Sequence, residues 1–93
     1  MKHWYLYVLR CNDDTLYAGV TTDIRRRLKE HNHSSRGAKY TKPRRPVNVV
    51  HWKLFKDRGS AQRAEYEFKQ LTKEQKEKVV SPGMVIPGSL PRS

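Results

Sequence analysis

The sequence predicts a single α+β domain in which helices pack against a three-stranded antiparallel β-sheet. Two short segments, 4–9 and 47–55, are rich in the aromatic and β-branched side chains that are typical of strands. Two others, 24–31 and 61–71, carry apolar side chains at helical spacing. The chain has 93 residues, which is the length of one small domain with a modest core.

The first part of the chain is predicted to form a β-hairpin. Residues 4–9 are continuously apolar, so we expect a strand with both faces covered. The polar run at 12–14 favours a turn, after which residues 16–20 return as the second strand. Gly19 lies inside that strand, where a glycine often marks the close approach of substrate or of neighbouring backbone.

A basic helix is predicted to follow the hairpin. Ile24 and Leu28 form its apolar stripe, and Arg27 and His31 lie four residues apart at one edge of that stripe. Its other cations are expected to point mostly to solvent, where Arg25 and Arg26 would meet a phosphate backbone. Two residues are suitable N-caps: Thr22 and Asp23.

The second half is predicted to contain a loop, a strand and two more helices. Residues 33–46 are rich in Ser, Gly, Lys, Arg and Pro, which indicates a loop before the third strand. Ser60 is the expected cap of the second helix, and Thr72 that of a short third helix over 73–80. The proline-containing segment 81–93 is expected to be a flexible C-terminal tail, so the folded domain is predicted to span 1–80.

The charge balance points to an anionic partner. Lys and Arg total 20 against 9 Asp and Glu, which gives a formal net charge of +11. So large an excess favours polyanions, with nucleic acid ahead of acidic membranes. The single cysteine, Cys11, cannot form an intrachain disulfide, and no apolar run has the length of about 20 residues that spans a bilayer. We therefore expect a cytoplasmic protein.

The loop before the third strand interleaves cations with one aromatic ring. This composition suits tracking of a phosphate backbone together with stacking on a base. The alternative is a solvated connection with no binding role. The residues predicted here as nucleic-acid contacts are Lys39, Tyr40, Lys42, Arg44 and Arg45, beside Arg25, Arg26 and Gly19 of the first unit.

Several of these features together resemble the GIY-YIG nuclease family. Tyr5-Leu6-Tyr7 and Tyr17-Ala18-Gly19 are similar to the two halves of its motif, although Tyr5 replaces a glycine and Ala18 an isoleucine or valine. Arg27 and His31 fall where the family places an arginine and a frequent histidine. The likeness covers about residues 3–80 and is closest to the small single-domain bacterial members, whose cellular role is poorly defined.

The resemblance implies a metal-dependent endonuclease that hydrolyses phosphodiester bonds, with DNA favoured over RNA. Segment 60–65 resembles the one that carries the family's metal-binding glutamate, which makes Glu65 the matching position. Helical phase alone does not distinguish Glu65 from Glu67. One carboxylate suits hydrated Mg²⁺, with Mn²⁺ as the alternative. Arg27 would neutralise the charge that develops during cleavage.

The identity of the general base stays open at this stage. The resemblance favours Tyr7 or Tyr17, but a tyrosine has an ordinary pKa of about 10 and needs nearby cations to lower it. His31 has an ordinary pKa of about 6.5 and needs no such help. The rival function is a basic nucleic-acid-binding protein that keeps the nuclease scaffold without its chemistry.

Overall fold

The computed structural model describes residues 3–80, and the predicted tail at 81–93 lies outside this range. The predicted α+β class is confirmed, with three antiparallel strands and three α-helices. A short 3₁₀-helix at Lys42–Arg44 interrupts the long loop. The elements are β1 (Trp4–Arg10), β2 (Leu16–Thr21), α1 (Ile24–His33), β3 (Asn48–Phe55), α2 (Arg58–Gln70) and α3 (Lys73–Val80).

The sheet has the order β2-β1-β3, so the first strand lies at its centre. Every residue from Tyr5 to Leu9 is buried, as expected for a strand covered on both faces. In the middle of the sheet, Tyr7 pairs with Gly19 on one side and with Trp52 on the other. Directly paired residues lie on the same face of a sheet, so Tyr7, Gly19 and Trp52 share one face.

Helices cover the two faces of the sheet separately. On one face, Tyr7 and Leu9 pack with Ile24 of α1. On the other face, Val8 packs with Phe68 of α2 and Val80 of α3. The helix that carries Arg27 and His31 therefore lies over the face that also carries Tyr7.

Local capping explains where the helices begin. Asp23 caps α1 by accepting a hydrogen bond from the backbone N–H of Arg26 at 3.0 Å, which selects one of the two predicted caps. The predicted cap of α2 was wrong, because Asp57 accepts from the backbone N–H of Ser60 at 2.7 Å and the helix begins at Arg58. Either residue type is a good cap, and here the aspartate comes first along the chain.

A bidentate ion pair fastens α3 to the end of β1. Both guanidinium branches of Arg10 donate to the carboxylate of Glu77 at 2.6 Å. Two parallel charge-assisted hydrogen bonds fix direction as well as distance. Within residues 3–80, no helix is long and apolar enough to cross a membrane.

Candidate active site

The site is built around a close contact between the two strands of the hairpin. A Cβ atom at Gly19 would lie 2.5 Å from the phenol oxygen of Tyr7 and 2.7 Å from its ring. The close approach predicted at Gly19 is therefore made by the Tyr7 side chain. Gly19 is itself buried, so the space above it is occupied by that phenol and a nucleic acid does not reach it.

A chain of buried hydrogen bonds runs from Tyr7 through His31 to Thr41. The Tyr7 hydroxyl lies 2.9 Å from His31 Nε2, and Thr41 Oγ1 lies 2.8 Å from His31 Nδ1. The Thr41 hydroxyl spends its single proton on the carbonyl oxygen of Ala38 at 3.1 Å.

Burial keeps both members of the Tyr7–His31 pair neutral. It lowers the pKa of His31 from 6.5 to about 4, and the charge of Arg27 lowers it further. It raises the pKa of Tyr7 from 10.0 to about 12, against the opposing effect of a hydrogen bond from Arg27. His31 is 0% exposed and both of its ring nitrogens are bonded. It therefore has no free nitrogen with which to activate a water molecule directly.

Arg27 lies beside this chain, as its helical phase predicts. Its Nη1 donates to Glu30 Oε1 and to the carbonyl oxygen of Arg36, both at 2.9 Å. The guanidinium also lies close enough to the Tyr7 hydroxyl to oppose the rise in the pKa of that phenol. With 25% of its side chain exposed, Arg27 is held on three sides and still reaches solvent.

Tyr17 is the more accessible of the two tyrosines. Its ring meets that of His31 edge-on at 5.4 Å and stacks on Tyr40 at 5.8 Å. Tyr17 is partly exposed, whereas Tyr7 is 2% exposed. In the part of the chain that the structure describes, the Tyr17 side chain makes ring contacts with His31 and Tyr40 and keeps part of its surface exposed.

The structure separates the two candidate glutamates. Glu65 is partly buried and lies near enough to Tyr7 for its charge to contribute to the raised pKa of the phenol. Its Oε2 accepts from the Lys69 ammonium at 2.9 Å. Glu67 is exposed and lines a different depression with Phe55 and Arg63. Of the two, Glu65 is the one whose charge acts on Tyr7.

The donor set of the site fits one weakly held hydrated cation. Among residues 3–80, no three His, Cys, Asp or Glu side chains converge as metal ligands. A single carboxylate is nonetheless the usual protein share of a Mg²⁺ site that is completed by water and substrate phosphate. Glu65 is the residue that would hold such an ion.

Among the loop residues predicted as nucleic-acid contacts, Tyr40 and Arg44 interact with other side chains of the protein, whereas Lys39 and Lys42 are exposed. The Arg44 guanidinium lies 3.9 Å from the centre of the Tyr40 ring, and its Nε donates to Asp13 at 2.9 Å. Tyr40 also stacks on Tyr17, so the aromatic ring proposed for base stacking is engaged within the protein. Lys39 and Lys42 are exposed.

Arg45 has a structural role that the sequence did not reveal. It donates to the carbonyl oxygens of His31, Glu30 (3.2 Å) and Ser34 (2.6 Å). These carbonyls lie at the C-terminal end of α1, where a cation also meets the negative end of the helix dipole. Arg45 therefore caps α1 through Nε and Nη2, while its predicted contact with nucleic acid stays a prediction.

Residues 3–78 match the model of the GIY-YIG catalytic domain. The chain belongs to the GIY-YIG family. Members of this superfamily are generally endonucleases that bind nucleic acid and use divalent metals.

Similar GIY-YIG proteins include both sequences and solved structures. The UPF0213 protein RBAM_000440 of Bacillus velezensis is 51% identical over 76 residues, which cover 82% of this chain and 76% of the relative. The solution structure of the UPF0213 protein BH0048 from Bacillus halodurans is 44% identical, with a TM-score of 0.56, over 86% of this chain and 84% of that one. The solution structure of protein EF2693 from E. faecalis is 46% identical, with a TM-score of 0.61, and the match covers 88% of this chain and 86% of that one.

The two halves of the GIY-YIG motif differ in what they contribute here. Tyr5, which stands where the family has a glycine, is buried and packs edge-on against Trp52 at 5.9 Å. It therefore belongs to the core of the GIY-YIG fold. Tyr7 and Tyr17 are the motif residues that meet His31.

Sequence reasoning missed three residues that hold this GIY-YIG site together. Thr41 bonds to His31, Glu30 to Arg27, and Asp13 to Arg44. The spacing of Arg27 and Glu30 on one helix was a usable signal, because residues three apart are neighbours on a helix surface. Thr41 and Asp13 lie in a loop and a turn, where no periodicity indicates the partner.

Proposed function

We propose that the protein is a metal-dependent endonuclease that hydrolyses DNA phosphodiester bonds. The observation that carries this proposal is the contact of Tyr7 and Tyr17 with His31, with Arg27 and Glu65 near enough to act electrostatically on Tyr7. These residues come from β1, β2, α1 and α2, so folding assembles a set that no single element provides.

Arg27 is the residue that stabilises the reacting phosphate in this proposal. Glu30, Arg36 and Tyr7 hold its guanidinium in a fixed orientation. A guanidinium held in this way can hydrogen bond to phosphate oxygens and offset the negative charge that builds up in the transition state. Glu65 holds the divalent ion, expected to be Mg²⁺ with Mn²⁺ as the alternative, which when bound polarises the phosphate and eases departure of the leaving oxygen.

Tyr17 is our preferred contact for the attacking water. The Tyr7 hydroxyl is committed to His31, and its pKa of about 12 opposes ionisation. His31 is completely buried. Tyr17 is partly exposed and its ring lies in the same cluster, so its ionised phenolate could accept a proton from the attacking water and become the neutral phenol, while Tyr7 and His31 hold the cluster in place.

Exposed cations beside the cluster supply the contacts to the nucleic-acid backbone. Arg25 and Arg26 lie on the outer face of α1, and Lys39 and Lys42 on the loop that leads to β3. Contacts of this kind position a nucleic acid without reading its sequence. The net charge of +11 makes such binding strongly dependent on salt.

Cleavage of labelled single-stranded, duplex and branched DNA with Mg²⁺, Mn²⁺ or chelator tests the proposal. We expect the parent protein to cut only with metal, Glu65→Gln to bind but not cut, and the matched control Glu67→Gln to cut normally. Equal cutting by the parent and Glu65→Gln would contradict the metal assignment. Binding without scission on every substrate would leave a nucleic-acid-binding scaffold as the function.

A further inference from the structure

A chain of hydrogen bonds runs from Tyr7 through His31 and Thr41 to the backbone carbonyl of Ala38, and each side chain in it donates towards Ala38. We propose that Thr41 is a positioning residue whose hydroxyl fixes the tautomer of His31 and, through Tyr7, gives Arg27 an acceptor in the candidate site. The consequence for cleavage rests on the proposed function. The assignment of the tautomer itself does not.

The direction of the chain is set at its far end. The carbonyl oxygen of Ala38 can only accept, and the Thr41 hydroxyl donates to it at 3.1 Å. Thr41 is 0% exposed, so water does not offer its proton another partner. The Thr41 oxygen, 2.8 Å from His31 Nδ1, is left as an acceptor, which requires the Nδ1–H form of the imidazole.

The direction then passes through His31 to Tyr7. With its proton on Nδ1, the ring presents a lone pair on Nε2, and the Tyr7 hydroxyl donates to it across 2.9 Å. The Tyr7 oxygen then has only lone pairs to offer to its remaining neighbour. That neighbour is Arg27, whose guanidinium can only donate. Every group in the chain is therefore satisfied.

The opposite tautomer would break the chain at the site. If the proton sat on Nε2, His31 would donate to the Tyr7 oxygen, and the Tyr7 proton would have to turn towards the N–H groups of Arg27. Tyr7 is 2% exposed and His31 is 0% exposed, so water could not relieve this conflict between two donors. A single hydroxyl in the loop thus controls the orientation of an arginine on α1.

Substitutions at position 41 separate this role from simple packing. Thr41→Val keeps the shape of the side chain but removes the acceptor for Nδ1–H. Without that acceptor, the tautomer with its proton on Nε2 becomes favoured. Thr41→Ser removes a methyl group but keeps the hydroxyl. A packing role predicts that valine is tolerated better than serine, whereas a tautomer-setting role predicts the reverse.

The decisive measurement is a long-range ¹H–¹⁵N correlation spectrum of the full chain labelled at histidine nitrogens. The His31 signal is assigned by its loss in His31→Gln. At neutral pH we expect a protonated Nδ1 and an unprotonated Nε2 in the parent and in Thr41→Ser, and a protonated Nε2 in Thr41→Val. A parent protein with its proton on Nε2 overturns the proposal, even if Thr41→Val fails to fold. An unchanged spectrum in Thr41→Val overturns it too.

The kinetic measurement uses the same variants with DNA and metal. We expect kcat of Thr41→Val to fall about tenfold, the effect of one misdirected hydrogen bond, while Thr41→Ser keeps the parental rate. Full activity of Thr41→Val despite a changed tautomer would refute the link to Arg27. If the parent itself cuts nothing, the endonuclease assignment fails while the spectra still decide the role of Thr41.

Discussion

The phenol oxygen of Tyr7 lies 2.5 Å from the point that a Cβ atom would occupy at Gly19. None of the glycines in residues 3–80 has a positive φ, so Gly19 is required for the space it leaves and not for an unusual backbone conformation. The glycine of one strand therefore fixes where the tyrosine of the next strand can lie. Tyr7 in turn contacts both His31 and Arg27.

Gly19→Ala should destabilise the protein by forcing the Tyr7 ring aside. We expect the free energy of unfolding to fall by about 1–3 kcal/mol, as in an overpacked core, measured by urea denaturation. Gly59→Ala is the matched control, because its nearest new contact is Asp57 Oδ1 at 3.6 Å, and its stability should stay the same or rise. In a Tyr7→Leu background the effect of Gly19→Ala should largely disappear. An equal loss in both backgrounds would mean that Tyr7 is not the obstacle.

The two tyrosines should differ in their contribution to rate. Tyr17→Phe removes the accessible hydroxyl, and we expect kcat for DNA cleavage to fall on the order of 10²-fold or more, the usual range for a lost proton acceptor. Tyr7→Phe removes a positioning contact, and we expect a loss of about tenfold. Single-turnover cleavage at saturating metal measures both. The reverse ranking would assign the contact with water to Tyr7.

Acid should destabilise the fold partly through His31. The pKa of His31 falls from 6.5 to about 4 on folding because the ring is buried. Below pH 6.5 the unfolded chain therefore binds a proton at His31 that the native chain does not bind. Stability from this group is therefore complete above pH 6.5 and is lost as the pH drops towards 4, by an amount on the order of 3 kcal/mol. Urea denaturation of the parent and of His31→Gln at several pH values isolates the effect, since carboxylate contributions cancel in the difference. A difference that does not vary with pH would argue against a buried neutral imidazole.

Lys42 and Arg45 should behave oppositely although both belong to the same basic loop. Arg45→Ala removes hydrogen bonds to three carbonyls at the end of α1, and we expect stability to fall by about 1–3 kcal/mol. Lys42→Ala should leave stability unchanged. For DNA binding, the slope of log affinity against log salt concentration should instead become shallower by about one, the effect of losing one phosphate contact. Thermal melts and binding titrations at several salt concentrations distinguish the two, and loss of stability in Lys42→Ala would contradict this division.

The sequence predicted the fold because its elements are strongly periodic. The continuously apolar segment 4–9 identified a strand that is covered on both faces, and the spacing of Ile24 and Leu28 identified the inward side of α1. The third helix was predicted with the bounds that the structure has, Lys73–Val80. The start of a helix was harder to predict where two suitable N-cap residues lie close together, as Asp57 and Ser60 do.

The candidate site was less predictable because its contacts are tertiary. Glu65 and Glu67 flank the same apolar stripe, and only the packing of α2 on the sheet leaves Glu65 partly buried within electrostatic reach of Tyr7 and Glu67 exposed. Arg45 resembled its cationic neighbours until the fold placed three carbonyls around it. The partnership of His31 with Thr41 likewise depends on the path of a loop without periodicity. Sequence patterns therefore identified the residue types of the site, while their partners had to come from the structure.

The ion pair between Glu65 and Lys69 separates the chemistry of the site from the integrity of the scaffold. An ammonium 2.9 Å from the carboxylate balances its charge while no other cation is bound. If Glu65 holds a divalent ion, as we propose, that ion would replace the ammonium as the partner of the carboxylate, and the ammonium would return when the ion leaves. We therefore expect that chelator stops cleavage without unfolding the protein.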